Sequence, residues 1–259
     1  MLKVRVMPTM LHKEFGLVKG ERFHSWRRTG SAMQQIKVYN FRDVDELVFF
    51  DIAASINGQS PDYDLVDDLA DDCFMPMTVG GGITTVEQAG RMLRVGADKV
   101  SINSGAVSNP GLISQIAARF GSQCVVVSID FKRHADGTCE VFTHSGSRPT
   151  GLDPIDFAAQ AQKLGAGEIL LTSIDRDGTF VGYDIECTRR VSEAVSLPVI
   201  ASGGAGNYQH MVDVVKQGGA SAVAAGAIFH FTEQTPAGAK AVLHDAGIPV
   251  RCATGDSFS

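Results

Sequence analysis

Short apolar runs rich in β-branched residues recur along the chain. Each is followed by a stretch in which apolar positions return every three or four residues. The runs are VRVMPTM, ELVFFDI, MPMTVGG, KVSIN, CVVVSID, EILLTSI, PVIASG and SAVAAGAIF. Most are apolar throughout rather than alternating, the pattern of parallel strands covered on both faces. The stretches between them carry helix start signals. TTVEQAGRMLRVG offers Thr84 and Glu87 as a capping box, Val86, Ala89 and Leu93 on one face, and Gly96 as a stop. NPGLISQIAARFG offers Asn109 as cap and Pro110 at the first helical position, with Leu112, Ile113, Ile116 and Phe120 inward. DPIDFAAQAQKLG repeats the device with Asp153 and Pro154. Eight strand–helix units in 259 residues predict an α/β protein, a (β/α)8 TIM barrel filling residues 1–259 as one domain.

The pattern also repeats within itself. DELVFFDI, carrying Glu46, resembles GEILLTSI, carrying Glu168, 122 residues later. The pair Gly81-Gly82 in VGGGITT returns at the same spacing of 122 as Gly203-Gly204 in ASGGAGN. Such self-similarity points to a barrel of two related half-barrels.

Composition narrows the class. Hydrophobic residues make up 44% and charged residues 20%, so a large core is expected. The net charge of −6, with no dense basic stripe, speaks against nucleic acid or an anionic membrane as partner. Cys73, Cys124, Cys139, Cys187 and Cys252 form no C-x-x-C pair and read as thiols of a reducing cytosol. No signal-peptide core and no apolar run of ~20 residues is present, so a soluble, cytoplasmic protein is expected. The seven histidines lack ligand spacing, and no nucleophile motif stands out. No metal and no cofactor is expected.

In a barrel of this kind, reactive groups sit at the carboxyl ends of the strands. Gly81, Gly82, Gly203 and Gly204 lie there, with Asn103, Ser104, Asp177 and Gly178 nearby. Glycines let the backbone approach a ligand, and N–H groups at a helix start attract an anion. Two such sites suit a ligand with a phosphate at each end; the alternative is that each glycine only makes a tight turn. Asp130, ending CVVVSID, is placed for acid–base work or for capping its loop. Asp51 and Asp175 are strand-end carboxylates open to the same two readings. At the opposite end, Arg5, Glu46, Lys99 and Glu168 stand at strand starts. Charges pointing into a barrel floor must pair with one another, as a static plug or as a gate.

DELVFFDI, VGGGI, GADKVSINS, VVVSIDFKR, GAGEILLTSIDRDGTFVGYD and IASGGAG together resemble the HisF-like family, the cyclase subunits of imidazole glycerol phosphate synthase, over about Leu2 to Cys252. The resemblance implies a lyase or amidotransferase-type synthase subunit that docks a HisH-like glutaminase on its amino-terminal face. Ammonia would pass through the barrel to a bis-phosphorylated substrate at the other face, giving imidazole glycerol phosphate and AICAR. It also implies that Arg5, Glu46, Lys99 and Glu168 are the ammonia gate, and that Lys19 is the loop lysine of the site. Phosphate contacts would fall on Gly82, Asn103 and Ser104 in one half, and on Asp177, Gly178, Gly203 and Gly204 in the other.

The family's cyclase uses two strand-end aspartates. The second matches Asp130; the first falls on Leu11, within VRVMPTMLHKEFGLVKG. A leucine can neither take nor give a proton, so the pair is broken at one member. Glu14 is the nearest carboxylate that could substitute. The pattern resembles a divergent HisF-like branch associated with surface polysaccharides, in which ammonia is delivered to an amidotransferase that makes an acetamidino sugar. The expected partners are therefore a glutaminase, a sugar amidotransferase and a phosphorylated small molecule. Two alternatives stand beside this reading: a genuine cyclase of histidine biosynthesis, and the related histidine-pathway phosphosugar isomerase.

Overall fold

The structure, a computed structural model, describes residues 3–14, 16–42 and 44–251. The chain opens with strand β1 (Arg5–Lys13), which turns back into an antiparallel hairpin of β2 (Gly16–Glu21) and β3 (His24–Gly30). Helix α1 (Ala32–Phe41) leads to β4 (Leu47–Asp51), a short α2 (Ala54–Asn57) and α3 (Tyr63–Asp71). Then come β5 (Met77–Gly80), α4 (Val86–Arg94), β6 (Lys99–Ile102), α5 (Ser104–Ser108) and α6 (Gly111–Phe120). The second half starts with β7 (Val125–Arg133), which folds back on β8 (Cys139–Thr143) and β9 (Arg148–Pro149). It continues through α7 (Pro154–Lys163), β10 (Glu168–Ser173), α8 (Ile185–Ala194) and β11 (Val199–Ser202). It ends with α9 (Tyr208–Lys216), β12 (Ala222–Ala225), α10 (Ala227–Phe231) and α11 (Pro236–Asp245).

Eight of these strands pair in parallel in the order β1, β4, β5, β6, β7, β10, β11, β12, and β12 pairs again with β1. The sheet closes into the expected (β/α)8 barrel. Residues two apart on each strand share a face. Met7, Val48, Val126, Leu170, Ile200 and Ala222 therefore cluster inside the barrel. Their neighbours, such as Phe49, Val79, Ile102, Val127 and Leu171, pack outward against Ile36, Leu69, Met92, Ile116 and Phe157 of the helices. The continuous apolar runs follow from this double burial.

The helix starts are partly as expected. Asp153 accepts from the N–H groups of Ile155 and Asp156, with Pro154 at the first position. The capping box of α4 is Thr85 with Gln88, one residue beyond the expected Thr84 and Glu87. The cause is geometric: Gln88 Oε1 accepts from the N–H groups of both Thr84 and Thr85, whereas Glu87 points to solvent toward Arg119. Pro110 rather than Asn109 is the boundary residue of α6, and no side chain caps it. The run SAVAAGAIF is not one strand, because Gly226 ends β12 and the chain turns directly into α10. The hairpin β2–β3 and the excursion β8–β9 were not anticipated.

Candidate active site

The carboxyl ends of the eight strands surround a cavity of about 1050 Å³, open solvent at its mouth included. Asp130, near the end of β7, lines it beside Ser128 and Thr172. Strand parity places Ser128 two residues before Asp130 on the same face, and Thr172 is its register partner on β10. The Ser128 hydroxyl donates to Asp130 Oδ1 at 3.3 Å. Part of the Asp130 side chain faces cavity solvent, yet protein atoms crowd its carboxyl. That desolvation pushes its pKa up to about 7, against the hydrogen bonds from Ser128 and Thr172 and with help from the charge of Asp177. Such a group can hold or release a proton near neutral pH.

Lys19, on β2, reaches across the mouth. Its ammonium lies 2.8 Å from Asp177 Oδ1 and 3.1 Å from Oδ2, and both side chains are buried. The hairpin is held onto the turn after β10 a second time, by the Arg22 N–H donating to the Asp177 carbonyl at 2.7 Å. His230, on α10, packs behind Lys19. Burial, with Lys19 nearby, lowers its pKa to about 4, against the hydrogen bond to the Thr9 carbonyl, so the ring is neutral at physiological pH.

The glycines earn their places through the backbone. Gly178 has φ 75°, and a Cβ there would strike the Gly20 carbonyl of the hairpin. Gly204 has φ 110°, and a Cβ would strike the Gly182 carbonyl. Gly81, Gly82 and Gly203 also line the cavity at positive φ. The turn requirement is therefore real at each of these positions, whatever else they contact. Asn103 donates to the carbonyls of Ser128 and Phe142, each at 3.1 Å, and Ser104 Oγ accepts from the His144 N–H. These side chains anchor the β8–β9 excursion over the mouth. Asp177, grouped by sequence with the phosphate contacts, spends its carboxylate on Lys19 instead, and a carboxylate offers a phosphate no donor.

Leu11 lies in the cavity wall, nearly fully buried, beside its register partner Phe50 on β4. Ile52, Phe23 and the chain's single tryptophan, Trp26, extend that wall. Glu14, the carboxylate nearest Leu11 in sequence, is exposed in the β1–β2 turn at φ 55°, outside the cavity lining. Asp51 and Asp175 serve as anchors. Asp51 Oδ1 accepts from the N–H groups of Ala53 and Ala54, and Asp175 Oδ2 from that of Arg133 at 2.7 Å.

At the other end of the barrel the four charges close into a ring. Glu46 Oε2 pairs with Arg5 at 2.5 Å and Glu46 Oε1 with Lys99 at 2.9 Å. Glu168 Oε1 meets Arg5 at 3.0 Å and Lys99 at 3.2 Å. Thr78 Oγ1 adds a bond to Glu46 Oε1 at 2.8 Å. Burial works against the charge of Arg5, but Glu168 and Glu46 outweigh it and its pKa is raised.

Sequence reasoning missed Ser101, Ser128, Thr172, Phe50 and Trp26. Parity was the available signal for the first two, because Ser101 stands two residues before Asn103, just past the end of β6, and Ser128 two before Asp130 on β7. Nothing in the pattern of the hairpin marked Trp26. Among the described residues, no group of three or more His, Cys, Asp or Glu could hold a metal, and no helix is long and apolar enough to cross a membrane.

The sequence model of the family described as "Histidine biosynthesis protein" matches residues 5–235. The chain belongs to this family. Its members are (β/α)8 barrels of the HisF and HisA type, enzymes of histidine biosynthesis. The match takes in Arg5 of the floor and every cavity residue described above.

Proposed function

We propose that this family member is the barrel subunit of a glutamine amidotransferase complex. It receives ammonia from a glutaminase on the amino-terminal face and conducts it to the mouth, for nitrogen transfer in acetamidino-sugar biosynthesis of a surface polysaccharide. The observation that carries the reading is an intact charged floor beneath a mouth whose first catalytic carboxylate is replaced by Leu11. The Arg5–Glu46–Lys99–Glu168 ring closes the floor of the barrel, and Thr9, Ser101, Ser128 and Thr172 line the mouth cavity above it. The hydroxyls of Thr9 and Ser101 are buried without a protein partner. An unpaired buried hydroxyl is costly, and a passing ammonia molecule, donor and acceptor at once, would satisfy each in turn. Gly82, Gly178, Gly203 and Gly204 would supply backbone N–H groups to a phosphorylated ligand.

A second reading is favoured by one feature of the same site. Asp130 can hold or release a proton near neutral pH and Lys19 is paired with Asp177 within the mouth, which is what a cyclase retaining half of its acid–base pair would need.

Lys99→Ala tests the passage in the complex reconstituted with its glutaminase and amidotransferase. Glutamine-dependent product should fall while ammonium-dependent product is spared. Equal loss of both would mark a folding defect, and loss of neither would make the ring a static plug and end the conduit reading.

A further inference from the structure

The hairpin β2–β3 leaves an edge that the barrel does not use. β3 pairs with β2 alone, so among the described residues its outer edge is open along His24–Gly30, and most of its side chains are exposed. An open edge presents a row of N–H and C=O groups to any extended chain. This edge is also held in place. The Lys19–Asp177 pair and the Arg22 N–H pin the hairpin to the turn after β10. The Arg27 guanidinium lies 4.7 Å from the centre of the Phe231 ring on α10. A partner strand would not have to order the edge before binding it.

Side chains give the edge a sign. Arg22, His24, Arg27 and Arg28 are exposed, and Glu21 is the only acidic residue of the hairpin. The chain as a whole carries −6, so this basic strip is local. Beside it lies an apolar rim. Gly178 lies against Gly20 and Glu21 of the hairpin, and the turn it begins exposes Phe180 and Val181. Gly206 lies against the Phe180 carbonyl, and its own carbonyl accepts from Gln234 Nε2 at 3.1 Å. That contact joins the turn to the end of α10, where Phe231 is exposed. Arginines beside exposed aromatic and aliphatic side chains are the composition of a protein interface.

We propose that this patch docks the protein that takes up the ammonia leaving the mouth, through an acidic, extended segment that adds as a strand to β3. The identity of that protein rests on the conduit reading. Charge chooses among occupants: a second copy would set the same arginines edge to edge, whereas an acidic strand would pair with them. Phe23 and Trp26 of the hairpin line the cavity, so a protein bound along the outer edge would cover the opening and keep ammonia from solvent. The opposite end of the barrel carries exposed aromatics of its own, Phe41 at the end of α1 and Phe74 just after α3. One partner at each end fits this distribution.

The test adds the sugar amidotransferase to the barrel–glutaminase complex and follows binding by calorimetry and by backbone hydrogen exchange. Exchange should slow across residues 24–30, because strand addition pairs the open edge. Arg27→Glu combined with Arg28→Glu should raise the dissociation constant about tenfold or more, and added salt should weaken the parent in the same direction. Val181→Asp, at a side chain 63% exposed, should weaken binding without touching the hairpin. In each variant glutamine-dependent product should fall while ammonium-dependent product is kept, since free ammonium needs no covered mouth. Binding that leaves residues 24–30 unprotected, or that the arginine reversals do not weaken, would overturn the proposal. Glutamine-driven product made under those conditions would leave the conduit reading standing. Attachment to phosphatidylglycerol vesicles through the same arginines, with amidotransferase binding unchanged, would overturn it in favour of a membrane. Glutamine-driven product absent from the parent complex would end the conduit reading, and the proposal with it.

Discussion

Leu11 and Asp130 occupy matching places in the two halves of the barrel. Each stands near the end of the first strand of its half, and each strand runs on past the rim into antiparallel pairing, Leu11 opposite Val18 and Asp130 opposite Phe142. The neighbouring parallel strand differs. Beside Leu11 stands Phe50, and beside Asp130 stands Thr172. One half of the mouth is a hydrocarbon wall, and the other a carboxyl surrounded by hydroxyls. Backbone pairing holds both positions, so the barrel accommodates a leucine at one and a carboxylate at the other. The chemistry of such a site is carried by side chains that the fold does not require.

The sharpest way to break this contrast is Leu11→Asp. If the carboxylate alone is missing, ammonium-driven turnover of the bis-phosphorylated histidine-pathway substrate should rise by ~10²–10⁴-fold. An unchanged rate would mean that Phe50 and its neighbours have closed that half of the mouth. A parent protein already turning over like an ordinary cyclase would remove the contrast altogether.

Lys19→Met probes the polar half. It strands the buried Asp177 carboxylate, and removing one partner of such a pair costs about 3–5 kcal/mol. The melting temperature should fall, and adding Asp177→Asn should recover much of the loss. A melting point that does not move would show the pair to be solvated.

Asp130 should leave a signature in the pH dependence of stability. Burial holds its carboxyl at about 7 in the folded protein, against an ordinary value of 3.8. Stability from this group is whole below about pH 4, declines as pH rises through about 7, and is level above that. Asp130→Asn removes the decline, so the melting temperature of the variant minus that of the parent should grow from pH 4 to 7. A constant difference would assign the titration to another group.

The smallest effect expected is protection by phosphate. Occupied glycine-lined sites would raise the melting temperature by mass action, by about 1–3 kcal/mol at concentrations well above the dissociation constant. Trp26, alone of its kind and set in the wall, should report the same event by fluorescence. No response in either would leave Gly82, Gly178, Gly203 and Gly204 with their turns alone.

The alternation of apolar runs with helical periods was enough to predict the eight strands, because two-sided burial writes itself directly into the sequence. The 122-residue repeat located the paired glycines and the two floor glutamates without any coordinates. Asp153 and Pro154 read correctly as a helix start, while Thr84 for Thr85 missed by one, since which side chain reaches back is decided by local geometry. Other features depended on pairing between distant segments. Lys19 and Asp177 are 158 residues apart, and their salt bridge exists because the hairpin folds across the mouth. Closure of the floor ring and the burial that lifts the Asp130 pKa are of the same kind. Sequence alone determined which residues must be covered and where the chain must turn, because those are local demands of hydrophobicity and backbone conformation. Only the tertiary structure decided which charges face one another, because distance and desolvation are set once the barrel has closed.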